Sequence, residues 1–190
     1  MSEALSGEPV RLPPHTPTCM GCGPDNPHGL QMEVFRSGQQ VYTDLVFDER
    51  HGGAPGLAHG GAIAAACDDL FGFTLWIVGT PAVTRNLAVG YRVPVPLHHP
   101  HRIVARVDSR EGRALHVSAT GIGQDGIVRF TATAMFVAVD VEHFAAHGFK
   151  DILYAVCIAP GRLDQAAALM KSGADLTIIT DDLEAAKTIA

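Results

Sequence analysis

Charge is scarce in this sequence: Asp, Glu, Lys and Arg make up 18% of its 190 residues, and the formal net charge is −6. All three lysines, Lys150, Lys171 and Lys187, lie at or beyond position 150. No basic stripe is available to neutralise phosphates, which excludes a nucleic-acid partner of the usual kind. Cysteine is also sparse, and four in a chain of this length do not make a disulfide scaffold. Long apolar runs are nearly lacking. Residues 62–78 approach membrane length but carry Asp68 and Asp69 near their middle. Each acid would cost about 2.5–3.5 kcal/mol in a bilayer, so no membrane span is expected. The first residues have no basic region ahead of an apolar one, so no signal peptide is read. A soluble, cytoplasmic protein with reduced thiols is expected.

What the chain does have is apolar mass. Hydrophobic residues are 47% of the total, which excludes disorder for the bulk of the chain. At this length roughly 70% of the unfolded surface can be buried. Residues 1–18 are rich in Pro, Ser, Glu and Thr and read as a flexible N-terminal arm. Residues 19–29 are dense in turn formers and read as an ordered loop. Strands are expected at 30–36, 41–47, 83–93, 101–109, 113–121 and 127–139, with turns at Ser37-Gly38 and Gln124-Asp125-Gly126. Residues 61–78 read as a helix that is apolar nearly all round, and so enclosed by other structure, stopped by Gly79 and Pro81. The order β-β-α-β-β-β-β over residues 19–140 predicts an α+β domain in which a curved, mainly antiparallel six-stranded sheet wraps a long central helix. Residues 141–190 switch to a β-α-β-α pattern, with strands at 152–158 and 176–179 and helices at 163–171 and from Asp181. This extension, of no assigned role, is too small to stand alone.

The sharpest chemical feature is Leu57-Ala58-His59-Gly60-Gly61 leading into the helix that carries Asp68. Two glycines at a helix start leave backbone N–H groups uncovered, and the helix dipole adds partial positive charge there. Such a spot can stabilise a developing oxyanion. A carboxylate on an otherwise apolar helix is costly unless it is used or paired. Together these parts suit attack on a carbonyl. The same pattern also fits a Gly-rich turn with a structural acid bonded to nearby backbone.

The run from His59 to Asp68, with an Asp nine residues after the His, resembles the signature of hotdog-fold acyl-CoA thioesterases of the PaaI and Them types. Cys22-Gly23-Pro24-Asp25-Asn26-Pro27-His28-Gly29-Leu30 is similar to the opening of one branch. The stretch from Thr84 to Leu97, with Asn86-Leu87, Tyr91 and Pro94-Val95-Pro96, is similar to the strand after the helix. The resemblance implies hydrolysis of an acyl-CoA thioester to a free acid and CoA, without cofactor. The Gly60 N–H would polarise the carbonyl, and Asp68 would act as general base or nucleophile. His59 would orient the substrate and Thr84 would help place the water. Gly61, Asn26, Asn86, Arg85 and Arg92 are the implied substrate-binding residues. Sites of this family lie between two subunits, implying a homodimer, often doubled into a tetramer. One departure is Gly53, where some relatives carry Asn; His51 or Asn86 could substitute.

Other features admit competing readings. Asp69 points about 100° away from Asp68 on a helix and is expected to be partly exposed or paired with an Arg; a second reading makes it the catalytic acid. Cys19 and Cys22 form a C-x-x-C, but a zinc site needs two more ligands, and no metal is assigned. His98, His99 and His101 read as a solvated turn that helps receive CoA, with metal binding the lesser alternative. Arg85, Arg92, Arg102, Arg106, Arg110 and Arg113 could hold CoA phosphates or could be the solvated faces of strands. Ala159-Pro160-Gly161-Arg162 reads as a docking element rather than an anion cradle. The alternatives to a thioesterase are a hydratase or dehydratase of the same fold, against which Asp68 argues, and a non-catalytic acyl-CoA-binding scaffold.

Overall fold

The computed structural model describes residues 7–139, 151–154, 171 and 175–178. The chain divides into two compact units, Met1–Thr74 with Thr84–Val137, and Leu75–Val83 with Ala138–Ala190. Seven strands form one sheet: β1 (Val10–Arg11), β2 (Phe35–Ser37), β3 (Gln40–Val46), β4 (Ala82–Tyr91), β5 (Pro100–Glu111), β6 (Ala114–Gly123) and β7 (Val128–Ala138). Their spatial order is β1-β2-β3-β5-β6-β7-β4, and the pairings from β1 through β7 are antiparallel. The long helix α1 (Gly60–Val78) falls between β3 and β4 in the chain and packs against the sheet.

Strand alternation dictates which face is buried. Along β6, Leu115, Val117 and Ala119 are buried while His116, Ser118 and Thr120 are half-buried on the other face. The β2–β3 turn is possible because Gly38 takes φ +60°, and the β6–β7 turn because Gly126 takes φ +76°. Phe130, Ile103 and Leu115 from the sheet, Phe47 just beyond β3, and Leu70, Phe71 and Phe73 from α1 are fully buried. The helix ends at Gly79, which takes φ +57°, with Pro81 beyond it. By length and composition α1 could cross a membrane. Here Ile63, Ala66, Cys67, Leu70, Phe71, Phe73 and Thr74 are buried within the protein.

Two differences from the expected strands have a physical cause. β2 begins at Phe35 rather than at residue 30, although Leu30, Met32 and Val34 alternate inward as a strand would. The amides of Leu30 and Met32 donate to Met20 and Gly21 of the preceding loop, so this stretch pairs with irregular chain instead of a strand. In the N-terminal segment, Val10 and Arg11 pair with Arg36 and Phe35, adding a seventh strand to the six expected.

In the second unit, β8 (Asp151–Tyr154) and β9 (Asp175–Ile178) pair in parallel, from Asp151 with Asp175 to Tyr154 with Ile178. A parallel pair needs a crossover connection. The helix expected at 163–171, apart from residue 171, the one expected from Asp181, and the Ala159–Arg162 segment lie outside the described residues.

Phe71 is fully buried, so Phe71→Ala should cost about 3–5 kcal/mol. Urea unfolding followed by circular dichroism measures this; an unchanged midpoint would remove α1 from the core.

Candidate active site

The start of α1 is held by a compact turn. Asp48 caps the short 3-10 turn Glu49–His51: its carboxylate accepts from the Arg50 amide at 3.0 Å, and the Asp48 amide donates to His51 Nδ1 at 3.3 Å. The His51 carbonyl then accepts the His59 amide at 2.7 Å, and the Val95 carbonyl accepts the Ala58 amide at 2.9 Å. The Arg50 guanidinium bonded to Asp48 holds its carboxyl down at about 2.

At the helix tip the two glycine amides have different fates. Gly61 N–H donates to His59 Nδ1 at 2.8 Å, so only Gly60 keeps the uncovered first-turn donor expected of both. This bond also places the proton of neutral His59 on Nε2. A Cβ on Gly61 would stand 2.9 Å from His59 Nδ1, so a larger residue disturbs the ring. The Gly60 carbonyl accepts from the Tyr91 hydroxyl at 2.7 Å, tying β4 to the helix start. Partial desolvation of the Tyr91 hydroxyl at this contact raises its pKa above the ordinary range. Tyr91 was legible only as part of the stretch from Thr84 to Leu97; its partner is a backbone carbonyl 31 residues away, which no side-chain pattern encodes.

Asp68 is half-buried, and its Oδ1 accepts from Thr84 Oγ1 at 3.0 Å. The hydroxyl fixes one carboxylate oxygen and leaves the other directed by it. Cys67, alongside, is fully buried, and burial with the charge of Asp68 pushes its thiol up to about 12, far from a nucleophile's range. Gly60 and Asp68 are eight residues apart on one helix, so they stand about 12 Å apart along its axis and about 80° apart around it. One thioester carbonyl cannot touch both within a single chain.

The remaining expected residues are placed as follows. Asn86 and Arg85 are exposed on β4, and Arg92 is exposed just beyond it. Asn26 closes its own loop: Nδ2 donates to the Thr18 carbonyl at 3.3 Å and Oδ1 accepts from the His28 amide at 3.1 Å. Gly53 packs on His59, where a Cβ would lie 2.9 Å from the His59 Cα. His51 is buried beside that loop, with Nε2 lacking a hydrogen-bond partner. Arg102 pairs with Asp44 at 2.6 Å and Arg106 with Asp108 at 3.0 Å, each on a strand face. His101 is buried at 1% exposure, not part of a solvated histidine turn, and desolvation lowers its pKa. Asp69 pairs not with an Arg but with His15, at 3.1 Å, and its side chain is 10% exposed.

A cleft of about 360 Å³ opens at the helix tip, lined by Leu57, Gly60, Ile63, Tyr91, Arg92 and Val95. A larger one, about 410 Å³, lies along β5, β6 and β7 and touches neither Asp68 nor Gly60. The smaller cleft is the one beside the Gly60 amide.

The sequence profile of the thioesterase superfamily matches residues 55–130, from the loop before α1 into β7. With the helix-on-sheet architecture, this gives the domain the hotdog fold and a likeness to that superfamily over residues 55–130. Among curated relatives, acyl-coenzyme A thioesterase THEM4 of Mus musculus is 40% identical over 91 residues, 47% of this chain and 39% of that one. The chain thus spans about two fifths of that relative's length. A stretch of 51 residues, 27% of this chain, is 51% identical to D-threo-3-hydroxyaspartate dehydratase of Delftia sp. (strain HT23), of which it covers 13%. Solved structures that share the fold include the following three. Thioesterase superfamily protein RHA08564 has TM-score 0.61 and 24% identity over 63% of this chain and 60% of that one. The protein smu.793 from Streptococcus mutans UA159, bound to acetyl CoA, has TM-score 0.51 and 23% identity, over 53% and 82%. E. coli PaaI has TM-score 0.55 and 12% identity, over 58% and 81%.

Two outcomes follow from this geometry. Asp48 is depressed from an ordinary 3.8 to about 2. Its stabilisation of the turn is therefore complete above pH 3.8 and drains as pH falls toward 2. Asp48→Asn should flatten the acid-unfolding curve in that window; an identical curve would take Asp48 out of the turn. For His59, nitrogen NMR should find the Nε2–H tautomer in the parent chain and a mixture in Gly61→Ala. The same spectrum in both would mean that the Gly61 amide does not hold the ring.

Proposed function

We propose that the chain is an acyl-CoA thioesterase that works as a homodimer, with each site built from the helix tip of one copy and Asp68 of the other. The observation that carries this reading is the bond from the Thr84 hydroxyl to Asp68 at 3.0 Å. An exposed-side acid held by one hydroxyl on an apolar helix is poised for use. Its separation of about 12 Å from the Gly60 amide is spanned if two α1 helices run antiparallel about a two-fold axis. Strand β4 supports that pairing. It is a sheet edge of ten residues with Val83 and Tyr91 each 56% exposed, and an uncovered edge of that length favours pairing with another strand.

In the proposed site, the thioester carbonyl lies against the Gly60 N–H, where the helix dipole and the donor stabilise the tetrahedral oxyanion. Asp68 of the facing copy takes a proton from water as the water oxygen attacks, and CoA leaves as the thiol on receiving that proton. The same carboxylate could instead attack directly, giving a mixed anhydride that water then opens. Thr84 orients the carboxylate in either course. His59, fixed by the Gly61 amide, presents Nε2–H toward the substrate. Arg92 lines the cleft at the helix tip and, with Arg85 on β4, suits the phosphates of CoA. The thiols of Cys19, Cys22 and Cys67 are free, which fits a reducing cytoplasmic setting.

A panel of acyl-CoAs, with free thiol followed, tests the activity. Asp68→Asn should keep the fold and lose at least about 100-fold in kcat, the scale of a positioned base. Sedimentation should find a dimer or tetramer. Full turnover by Asp68→Asn, or by a monomer, would overturn the reading. A chain that binds CoA but hydrolyses no thioester would instead be the non-catalytic scaffold.

A further inference from the structure

The proposed reaction uses Asp68 and leaves its neighbour unexplained. Asp69 lies on a different face of α1, and the loop of residues 15–22 closes over it. His15 Nδ1 and Cys19 Sγ each lie 3.1 Å from Asp69 Oδ1, and Cys22 Sγ lies 3.7 Å from the same oxygen. Cys22 Sγ is also 3.4 Å from His15 Nδ1. The four ligand atoms all fall within 4.8 Å of one another. From these contacts we infer that His15, Cys19, Cys22 and Asp69 form a structural zinc site.

The donor set and the spacing both support this. One imidazole, two sulfurs and one carboxylate suit a borderline-soft divalent ion. A tetrahedral zinc with bonds of about 2.0–2.3 Å sets its ligand atoms about 3.3–3.8 Å apart; four of the six observed separations span 3.1–3.7 Å and overlap that range, and all lie within 4.8 Å. All four positions come from protein, which marks a structural site rather than a catalytic one.

Three independent features point to a ligand. Asp69 Oδ2 is buried without a hydrogen-bond partner, although its carboxylate sits on an apolar helix. Gly21 passes so close that a Cβ there would lie 2.1 Å from Asp69 Cγ, so only glycine lets the loop reach the carboxylate. The outer contacts resemble those that orient metal ligands: the His15 amide donates to Cys22 Sγ at 3.2 Å, and the His15 ring stacks on Phe73 with centroids 4.0 Å apart. On binding, the two thiols release their protons and become thiolate ligands. The ion would then tie the N-terminal segment to α1 at the residue beside Asp68. The loop it closes, from His15 to Asp69, is long, and constraining a long loop gives a large entropic return.

The test uses the full chain, purified under thiol reductant without chelator. Elemental analysis should find about one zinc per chain. After removal of zinc and addition of cobalt, thiolate-to-cobalt charge-transfer absorption should appear in the near ultraviolet. Cys19→Ser and Cys22→Ser should weaken cobalt binding by more than about 100-fold, beyond the loss of an outer-shell partner, while Cys67→Ala should not. A folded, reduced chain that takes up neither zinc nor cobalt would overturn the inference. So would cobalt uptake without thiolate bands, or a Cys19–Cys22 disulfide that persists under reductant. The cobalt spectrum of the parent chain decides the matter even if a cluster variant fails to fold. These readouts do not depend on thioester hydrolysis, so failure of the zinc site and failure of the thioesterase reading are separable.

Discussion

The rigidity of α1 is the constraint on which the rest of the structure, and the proposed chemistry, depend. A helix advances about 1.5 Å and turns about 100° per residue. Gly60 at its tip, Asp68 farther along and Asp69 one step on therefore hold fixed separations and fixed directions. The tip offers an amide donor, the next position of interest offers a carboxylate, and the last turns to another face. The core side chains Leu70, Phe71 and Phe73 anchor the rod within the protein. No loop movement can bring the tip and the acid of one helix together.

Each of the two acids meets a different surrounding for that reason. Asp68 accepts a single hydroxyl from β4 and stays half-buried. Asp69 meets a closed loop of His and Cys. Neighbours in sequence thus meet different surroundings because the helix points them apart. One oxygen of the Asp69 carboxylate is committed to His15 and Cys19.

Second contacts tune the helix tip more than its glycines do alone. The motif suggested two uncovered amides, yet His59 turns back and takes the Gly61 N–H. The capping interaction is satisfied by the residue just before the helix, as helix starts commonly are. What is left is a single donor at Gly60, beneath a tyrosine that holds the same residue's carbonyl. The edge strand that supplies this tyrosine also supplies Thr84, so β4 serves both ends of the site.

Much of this was legible in the residues themselves. Alternation marked the strands from β3 onward, and the apolar run ending at Gly79 and Pro81 marked α1, because these patterns report local geometry with periods of two and 3.6. The glycine pair, Asp68 and Thr84 were legible because they sit in recognisable order. The two-residue β1 was not, since so short a strand exists only by pairing with Arg36 and Phe35. Nor were the partners of Cys19 and Cys22, for Asp69 follows Cys19 by 50 residues, and spacing predicts ligand sets only when the ligands share a local motif. Sequence determined the elements and the types of group they carry, because backbone preference and hydrophobic period act over a few residues. Tertiary structure alone decided which groups meet, because contact across distant segments depends on how the sheet brings the chain back onto one helix.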